Sequence, residues 1–340
     1  MTNTTDKPTV TPERLMQFAW GYAVPLMIEA GIKNRVFDSL DAGPKTAEQL
    51  AKETGASARG LRMLANALVA FQFLAKDAQQ RYSLTPESAA FLVTTKPSFQ
   101  GGIFKHISSQ LIPKWLKLDE IVRGGRPVEL VNDQSEGAKF FEQFVEDIFP
   151  MSYGAAKTLG EHLKIKDAKQ PVRVLDLAAG SGVWGIALAQ QSPQVKVTAV
   201  DWPGVLPVTR RVAERHKVAD RFTFVAGDLH DADFGAGHTI ATLGHILHSE
   251  GEPRSRALLK KTAKSLAPGG TIAIAEFLAN DDRTGPPNAM IFAVNMLVNT
   301  QHGDTFTVPE IRQWLTEAGF TDVRTLDGPG PSPMILATKR

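Results

Sequence analysis

The feature that most constrains the fold is a short apolar run that ends in a glycine-rich turn, residues 172–185, with the sequence Val-Arg-Val-Leu-Asp-Leu-Ala-Ala-Gly-Ser-Gly-Val-Trp-Gly. The run predicts a buried strand that ends at Asp176, and the turn opens a helix. Gly180, Gly182 and Gly185 fit the pattern G-x-G-x-x-G, in which bare backbone N–H groups approach a ligand at a positive helix N-terminus. Several classes of nucleotide-type cofactor are bound at such turns, so the pattern alone does not choose among them.

Short β-branched runs alternate with helical segments over the C-terminal half of the chain. This alternation is typical of βαβ units and predicts an α/β domain with a mostly parallel, doubly wound, Rossmann-like sheet. The last two strands are expected to form an antiparallel hairpin at the sheet edge, joined through residues 328–331. The predicted strands are 172–177, 195–200, 222–226, 239–243, 271–277, 323–326 and 334–338.

The N-terminal part of the chain is predicted to be mainly helical, with a winged-helix pattern over residues 44–85: two helices followed by two short strands around a polar tip. Such a module either reads DNA or serves as a packing unit. Residues 1–150 carry a net charge of zero, and only Arg59 and Arg62 are basic on the second helix. Because phosphate binding needs a basic face, a DNA-binding regulator is the weaker alternative.

The composition excludes further classes of function. A net charge of +2 over 340 residues does not indicate a bulk nucleic-acid binder. The lack of cysteine excludes a disulfide scaffold, a thiolate metal site and a cysteine nucleophile. Residues 1–8 lack the pattern of a signal peptide, and no apolar run reaches the ~18–20 residues that span a bilayer. We therefore expect a cytoplasmic protein with no membrane or nucleic-acid partner.

Acidic residues close three successive predicted strands, and they discriminate between cofactors. A carboxylate at Asp176 would repel a pyrophosphate but suits an ammonium and a sulfonium group. Asp201 can accept both hydroxyls of a ribose. Asp228, followed by the apolar Leu229, can take the amino group and one face of an adenine. Three acids with no basic residue for phosphates favour S-adenosylmethionine and argue against a nicotinamide oxidoreductase.

With these residues the chain resembles the two-domain, S-adenosylmethionine-dependent small-molecule O-methyltransferases, a family that includes plant caffeate-type and animal hydroxyindole-type enzymes and bacterial members. Residues 174–182 are similar to the first motif of the family, although Ala178 and Ala179 replace common glycines, and residues 266–276 are similar to its later Pro-Gly-Gly motif. The resemblance extends over about residues 15–338.

The resemblance implies a class I methyltransferase domain and a homodimer formed through the winged helix. The implied domains are a winged-helix dimerisation domain at 1–110, a helical linker that contributes to the substrate pocket at 111–170, and a catalytic domain at 171–340. The cofactor-binding residues that we predict are Asp176, Ala178, Gly180, Gly182, Asp201, Trp202, Gly227, Asp228, Leu229 and Gly244.

The resemblance also implies a general base. His248 falls where the family carries a catalytic histidine, usually within His-Asp-Trp, although Ser249 and Glu250 follow it here. A phenol with a pKa of ~10 is mostly protonated at neutral pH, whereas a histidine with a pKa of ~6.5 can accept its proton during methyl transfer. Glu276 matches an acid that orients the base, and Asp304 is the candidate for a second family acid. No metal site is predicted, because the residues near His248 do not complete a ligand set.

A helix at residues 288–297 is predicted to bound the acceptor pocket, with a plain core helix as the alternative. Methionine and aromatic side chains suit a planar apolar acceptor. The predicted substrate-binding residues are Phe144, Met151, Met290, Asn295, Met296 and Asn299. We therefore expect methyl transfer to a hydroxyl of a small aromatic acceptor. The alternatives are transfer to nitrogen or carbon, and a diverged member that uses the cofactor for its charge.

Overall fold

The computed structural model describes residues 10–128, 140–142, 144–330 and 332–340. Residues 1–8, on which the signal-peptide expectation depends, and Pro331 of the predicted hairpin turn lie outside the described residues. The chain divides into two units, Met1–Ser109 and Gln110–Arg340. Every helix among the described residues is too short or too polar to cross a membrane.

The first unit is mainly helical, and a capping box defines the start of one of its helices. Thr46 accepts a hydrogen bond from the Gln49 N–H, and the Gln49 side chain accepts one from the Thr46 N–H. The two helices and the two-stranded antiparallel wing lie where the sequence predicts them. The elements are α1 (Glu13–Ala19), α2 (Ala23–Lys33), α3 (Val36–Asp41), α4 (Ala47–Thr54), α5 (Ala58–Ala70), β1 (Leu74–Lys76), β2 (Tyr82–Leu84), α6 (Pro86–Phe91) and α7 (Gly102–His106).

The second unit alternates strands and helices. Its helices are α8 (Ile112–Trp115), α9 (Leu118–Gly124), α10 (Phe149–His162), α11 (Val183–Ala189), α12 (Leu206–Arg215), α13 (Leu247–Ser265), α14 (Pro287–Asn299) and α15 (Val308–Glu317). Its strands are β3 (Val172–Leu177), β4 (Val195–Asp201), β5 (Phe222–Ala226), β6 (His238–Gly244), β7 (Leu266–Ala275), β8 (Phe320–Leu326) and β9 (Met334–Lys339). A π-helical turn, Ile107–Leu111, precedes α8.

The seven strands of the second unit form one sheet in the order β5-β4-β3-β6-β7-β9-β8. Strands β3 to β7 pair in parallel, whereas β9 pairs antiparallel with both β7 and β8. The predicted α/β class and the mostly parallel seven-stranded sheet are confirmed. The strand order reverses between β3 and β6, and a sheet of this kind opens a crevice at the carboxyl ends of the strands there.

Strand β7 differs most from its prediction. It begins at Leu266 rather than at 271, because Leu266 pairs with His238 of β6 before a bulge shifts the register to Ile240 and Thr271. The Pro-Gly-Gly turn therefore lies inside this strand element, and Glu276 follows its last residue directly.

Apolar side chains cover both faces of the sheet. Ala156 and Leu159 of α10 pack in the same buried cluster as Ile186 of α11, and Leu258 of α13 packs with Leu315 of α15 in the other. The segment 111–170 therefore supplies part of the core of the second unit.

Candidate active site

The glycine-rich turn follows β3 and adopts left-handed backbone conformations. Ala178 has φ 51°, Gly180 φ 55° and Gly182 φ 77°. Glycine adopts such angles without a steric penalty, whereas the alanine carries strain. Gly185, in the first turn of α11, is needed for a different reason: a Cβ there would lie 2.7 Å from Val197 Cγ1. These positions let α11 pack closely on the sheet.

Asp176 lies beneath the turn and is fully buried. Its Oδ2 accepts a hydrogen bond from the Gly185 N–H at 3.0 Å, and its Oδ1 accepts one from Thr242 Oγ1 at 2.7 Å. Burial raises the pKa of Asp176 to about 7, although both hydrogen bonds act to lower it. The sequence predicts a carboxylate facing a cationic cofactor. In the structure this carboxyl group is instead inaccessible, and its two hydrogen bonds tie β3 to β6 and α11.

Asp201 ends β4 and contacts the turn directly. Its Oδ2 accepts a hydrogen bond from the Gly180 N–H at 2.7 Å, and its Oδ1 accepts one from the Trp202 N–H at 2.7 Å. Burial raises the pKa of Asp201 to about 6 against the effect of these two donors. The structure thus brings together the turn and the second predicted acid.

Asp228 follows β5 by two residues. Its Oδ1 accepts hydrogen bonds from the His230 N–H at 2.9 Å and from Arg254 Nη2 at 3.3 Å. Burial acts to raise the pKa of Asp228, but the His230 N–H and the Arg254 charge outweigh it and hold the pKa below its usual value. Gly227 donates its N–H to the Asp201 carbonyl at 3.0 Å, which joins the two strand ends.

Trp184 contacts the end of β6 beside the glycine turn, which the sequence did not predict. Its indole lies against Gly244, the last residue of β6, where a Cβ would fall 1.9 Å from the indole Nε1. Trp184 is itself buried. The available sequence signal is a tryptophan two residues after the G-x-G turn, but the residue that it contacts lies on a strand 60 residues away.

His248 and Glu276 form a buried pair at the ends of neighbouring strands. His248 Nδ1 lies 2.7 Å from Glu276 Oε2, and Glu276 Oε1 accepts a hydrogen bond from the Leu247 N–H at 2.7 Å. Burial acts to raise the pKa of Glu276, but the charge and hydrogen bond of His248 outweigh it and lower the pKa. An ionised Glu276 holds the proton of the imidazole on Nδ1, which leaves Nε2 as the basic nitrogen.

Aromatic rings surround this pair. Phe292 of α14 meets the His248 ring edge-on at 4.8 Å, and Phe277 stacks on Phe292 at 4.0 Å. His245 lies 5.3 Å from Phe277 and its Nε2 is 2.9 Å from Ser332 Oγ. No group of three His, Cys, Asp or Glu side chains within the described ranges is arranged to hold a metal ion.

Asp304 is not placed as predicted. Its carboxylate pairs with Arg283 at 3.2 Å and accepts a hydrogen bond from the Thr305 N–H at 2.7 Å, and its side chain is 48% exposed. Only its backbone N–H reaches the base segment, by donating to the His248 carbonyl at 2.9 Å. The ion pair with Arg283 explains why this carboxylate does not meet the His248 ring.

Polar and apolar side chains of α14 lie in the same region as Phe292. Met296 and Asn299 are buried, and Met290 is half-buried. Asn295 Oδ1 accepts hydrogen bonds from Trp115 Nε1 at 3.0 Å and from Asn299 Nδ2 at 3.1 Å. Asn299 Oδ1 is a buried acceptor for which the described residues supply no donor.

Phe144 and Met151, the two predicted pocket residues that precede β3, make contacts outside α14. Phe144 packs with Phe141, which meets the Trp202 ring edge-on at 6.0 Å, so this cluster adjoins the end of β4. Met151 lies on α10, where its carbonyl approaches Gly330.

A parallel sheet with a glycine turn, strand-end carboxylates and a histidine–glutamate pair at one edge defines a class I methyltransferase-type domain. Comparison with known proteins agrees: residues 127–321 match the model of an O-methyltransferase domain, and residues 16–94 match an O-methyltransferase dimerisation domain.

Individual relatives extend over nearly the whole chain. The 3-hydroxy-5-methyl-1-naphthoate 3-O-methyltransferase of Streptomyces sahachiroi is 30% identical over 334 residues, which cover 96% of this chain and 95% of that one. A candidate O-methyltransferase of Nostoc punctiforme has a similar structure, with a TM-score of 0.88, 29% identity, and coverage of 97% and 100% of the two chains. Human N-acetylserotonin methyltransferase, solved with S-adenosylmethionine, shares the fold with a TM-score of 0.83 at 24% identity, covering 100% and 99%. The chain therefore belongs to the family of S-adenosylmethionine-dependent O-methyltransferases.

The buried imidazole of His245 predicts a pH-dependent loss of stability. Burial lowers the pKa of His245 to about 4, although Glu276 acts to raise it. The unfolded chain takes up a proton below pH ~6.5 and the folded chain only below about 4, so this residue destabilises the fold as the pH falls through that window. We expect His245→Asn to remove this loss, which amounts to about 3 kcal/mol at most.

Urea unfolding of both proteins between pH 8 and 4 measures the effect. Asparagine tolerates the left-handed φ of 63° at this position. Asp176 and Asp201 contribute the opposite slope to both proteins, so the difference between the two isolates His245. Parallel stability curves would contradict the prediction.

Proposed function

We propose that this O-methyltransferase transfers the methyl group of S-adenosylmethionine to a hydroxyl of a small aromatic acceptor, with His248 as the general base. The observation that carries the proposal is the 2.7 Å contact between His248 Nδ1 and Glu276 Oε2. This contact fixes one nitrogen as a donor and leaves the other free to accept a proton. The aromatic rings of Phe277 and Phe292 beside it favour a planar acceptor.

The residues at the glycine turn fit the cofactor. Asp201 is half-buried against the Gly180 N–H, and we propose that it accepts the ribose hydroxyls. Asp228 stays ionised and is followed by the buried Leu229, which suits the amino group and one face of an adenine. Arg254 lies near Asp228, but its charge is already paired with Asp228 and Glu250. It therefore does not supply a phosphate-binding group, which favours an adenosine without a diphosphate.

The other predicted cofactor residues act through the backbone or the shape of the crevice. Gly182 and Gly227 need positive φ angles. Gly244 makes room for Trp184, and Ala178 and Trp202 continue the chain at the ends of β3 and β4. We assign Asp176 the role of holding the turn to the sheet rather than of contacting the cofactor.

The chemistry divides between cofactor and chain. When bound, S-adenosylmethionine supplies an electrophilic methyl group on a sulfonium. His248 Nε2 would take the proton of the acceptor hydroxyl while the oxygen attacks that carbon in line, so that the O–H and C–S bonds break as the O–C bond forms and S-adenosylhomocysteine is the leaving group. The carboxylate of Glu276 stabilises the imidazolium that results. Alignment of oxygen, carbon and sulfur contributes the rest of the acceleration.

The acceptor is proposed to lie against α14. Met290 and Met296 supply apolar surface, and Asn295 is held in one orientation by Trp115. Asn299 Oδ1, buried without a donor from the described residues, suits a hydroxyl or N–H group of the acceptor. The Streptomyces relative acts on a hydroxynaphthoate, which supports a fused aromatic acceptor. Phe144 and Met151 remain candidates for the opposite wall.

A homodimer is proposed through the first unit. Large apolar side chains of α1 and the turn after it are exposed, which is unusual for a surface that stays in water. They lie in or beside the segment that matches the dimerisation domain. These side chains are Leu15, Met16, Phe18, Trp20 and Tyr22.

Cofactor binding is predicted to release a proton at mildly acidic pH. Ribose hydroxyls donate to the ionised form of Asp201, whose pKa is raised to about 6 by burial, so binding lowers that pKa. We expect S-adenosylhomocysteine to release roughly half a proton per site at pH 6 and none at pH 8. Calorimetry in two buffers of different ionisation enthalpy measures the release. The variant Asp201→Asn is the control, and an unchanged release in it would refute the assignment.

Loss of the base is predicted to slow turnover without weakening cofactor binding. We expect His248→Ala to lower kcat by about 10²- to 10⁴-fold, with an unchanged Kd for S-adenosylhomocysteine. A panel of phenols, naphthols and hydroxyindoles with labelled methyl donor supplies the assay. The deficit is expected to shrink near pH 10, because a phenol then ionises unaided.

A second histidine provides the matched control for this experiment. His162 is exposed at the end of α10, and His162→Ala is expected to retain full activity. If His248→Ala kept kcat within twofold at pH 7.5, His248 would not be the base.

Polar substitution of the apolar surface on α1 is predicted to dissociate the dimer. We expect Phe18→Ser combined with Trp20→Ser to give a monomer by light scattering, since both side chains are more than two-thirds exposed in one chain (72% and 67%). Glu13→Ala, on the same helix, is expected to leave a dimer. A monomeric parent protein, or a dimeric double variant, would exclude this interface.

A further inference from the structure

Glu250 is a buried carboxylate that the proposed methyl transfer does not use. It lies two residues after His248 on α13 and is only 8% exposed. Its Oε2 lies 3.0 Å from His230 Nε2 and accepts a hydrogen bond from Arg254 Nε at 2.7 Å. A buried charge needs such partners, and both of them lead to the loop after β5.

This loop, residues 227–230, contains the two residues that we propose to hold the adenine, Asp228 and Leu229. Arg254 Nη2 donates to the carboxylate of Asp228 at 3.3 Å. The His230 side chain meets Glu250. Two side chains of the 227–230 loop therefore contact the first half of α13, at Arg254 and Glu250, and these two residues are hydrogen-bonded to each other.

Lys261 holds the same loop from the second half of α13. Its Nζ donates to the carbonyls of Leu229 at 2.9 Å and His230 at 2.8 Å, and it lies 4.2 Å from the centre of the Phe234 ring. A side chain that donates to two successive carbonyls fixes the path of the backbone between them.

We propose that Glu250, Arg254 and Lys261 are positioning residues for the cofactor, which hold the 227–230 loop so that Asp228 and Leu229 are ordered before the adenine arrives. The inference rests on the proposed role of Asp228. None of the three touches a reacting atom. Their effect is on affinity, since a loop that is already ordered loses less conformational entropy on binding.

The helix that carries the base thus also holds the cofactor loop. His248 lies in the first turn of α13, and Arg254 and Lys261 lie further along it. The non-helical Gly251 (φ 74°) separates His248 and Glu250 from the rest of the helix, and the Glu250–Arg254 contact bridges that break. A change in the loop contacts is therefore expected to alter KM for the methyl donor rather than kcat.

The test is a double-mutant cycle on the Kd of S-adenosylhomocysteine, measured by calorimetry, which needs no knowledge of the acceptor. We expect Arg254→Met to weaken binding about tenfold, and Arg254→Met in an Asp228→Asn background to weaken it less than twofold further, because arginine acts through that carboxylate. Arg254→Lys restores part of the affinity. Lys261→Met and Glu250→Gln are each expected to weaken binding by about threefold or more.

Arg256 supplies the matched control. It lies two residues further along α13 and pairs with Glu252 and Glu317 instead of the loop. Arg256→Met is expected to leave the Kd unchanged. With a methyl acceptor in hand, Arg254→Met should raise KM for S-adenosylmethionine several-fold and leave kcat within twofold at saturation.

The outcomes separate this inference from the proposed function. An Arg254→Met protein that is folded by circular dichroism and binds like the parent overturns the inference, as does an equal loss in the presence and absence of Asp228→Asn. If Arg254→Met does not fold, Arg254→Lys and Glu250→Gln carry the same comparison. A parent protein that does not bind S-adenosylhomocysteine would instead refute the cofactor site itself.

Discussion

The parallel pairing of β3 to β7 is the constraint on which the site depends. Because these strands run in one direction, their carboxyl ends lie at one edge, and the register aligns Asp176 with Thr242 and Asp201 with Ala226. Asp176, Asp201, Asp228 and Glu276 lie at that edge or within two residues after a strand, and His248 follows β6 by four residues. β9 runs antiparallel to β7, so its carboxyl end lies at the opposite edge.

Much of this arrangement follows from the sequence, because strand ends are visible as changes of residue type. The positions of the seven strands, the glycine turn and the acids after β4 and β5 could be predicted in this way. The direction in which a side chain points could not be predicted from the sequence. Asp176 occupies the predicted position, yet its carboxyl group lies beneath the glycine-rich loop and accepts a hydrogen bond from Thr242 rather than facing a ligand.

Contacts between segments that are far apart in the sequence could not be predicted either. Asp304 pairs with Arg283, 21 residues earlier, and Arg254 reaches Asp228 across 26 residues. Trp184 and Gly244 fit each other from different βα units. Periodicity identifies elements, whereas these pairs depend on how the elements pack. The start of β7 was missed for a related reason, since one bridge to His238 extends it before the regular ladder begins.

The difference between the residues on α13 and those on α14 has a consequence for how the acceptor range of this enzyme can change. The proposed base and the side chains that hold the 227–230 loop lie on α13, while α14 carries the side chains that we propose to face the acceptor, Phe292, Asn295, Met296 and Asn299. On this proposal, substitutions on α14 change the range of acceptors without altering the residues proposed to hold the methyl donor. Substitutions on α13 are more constrained, because this helix carries both the proposed base and the side chains that hold the 227–230 loop. We therefore expect acceptor preference to change on this scaffold more readily than the use of the methyl donor.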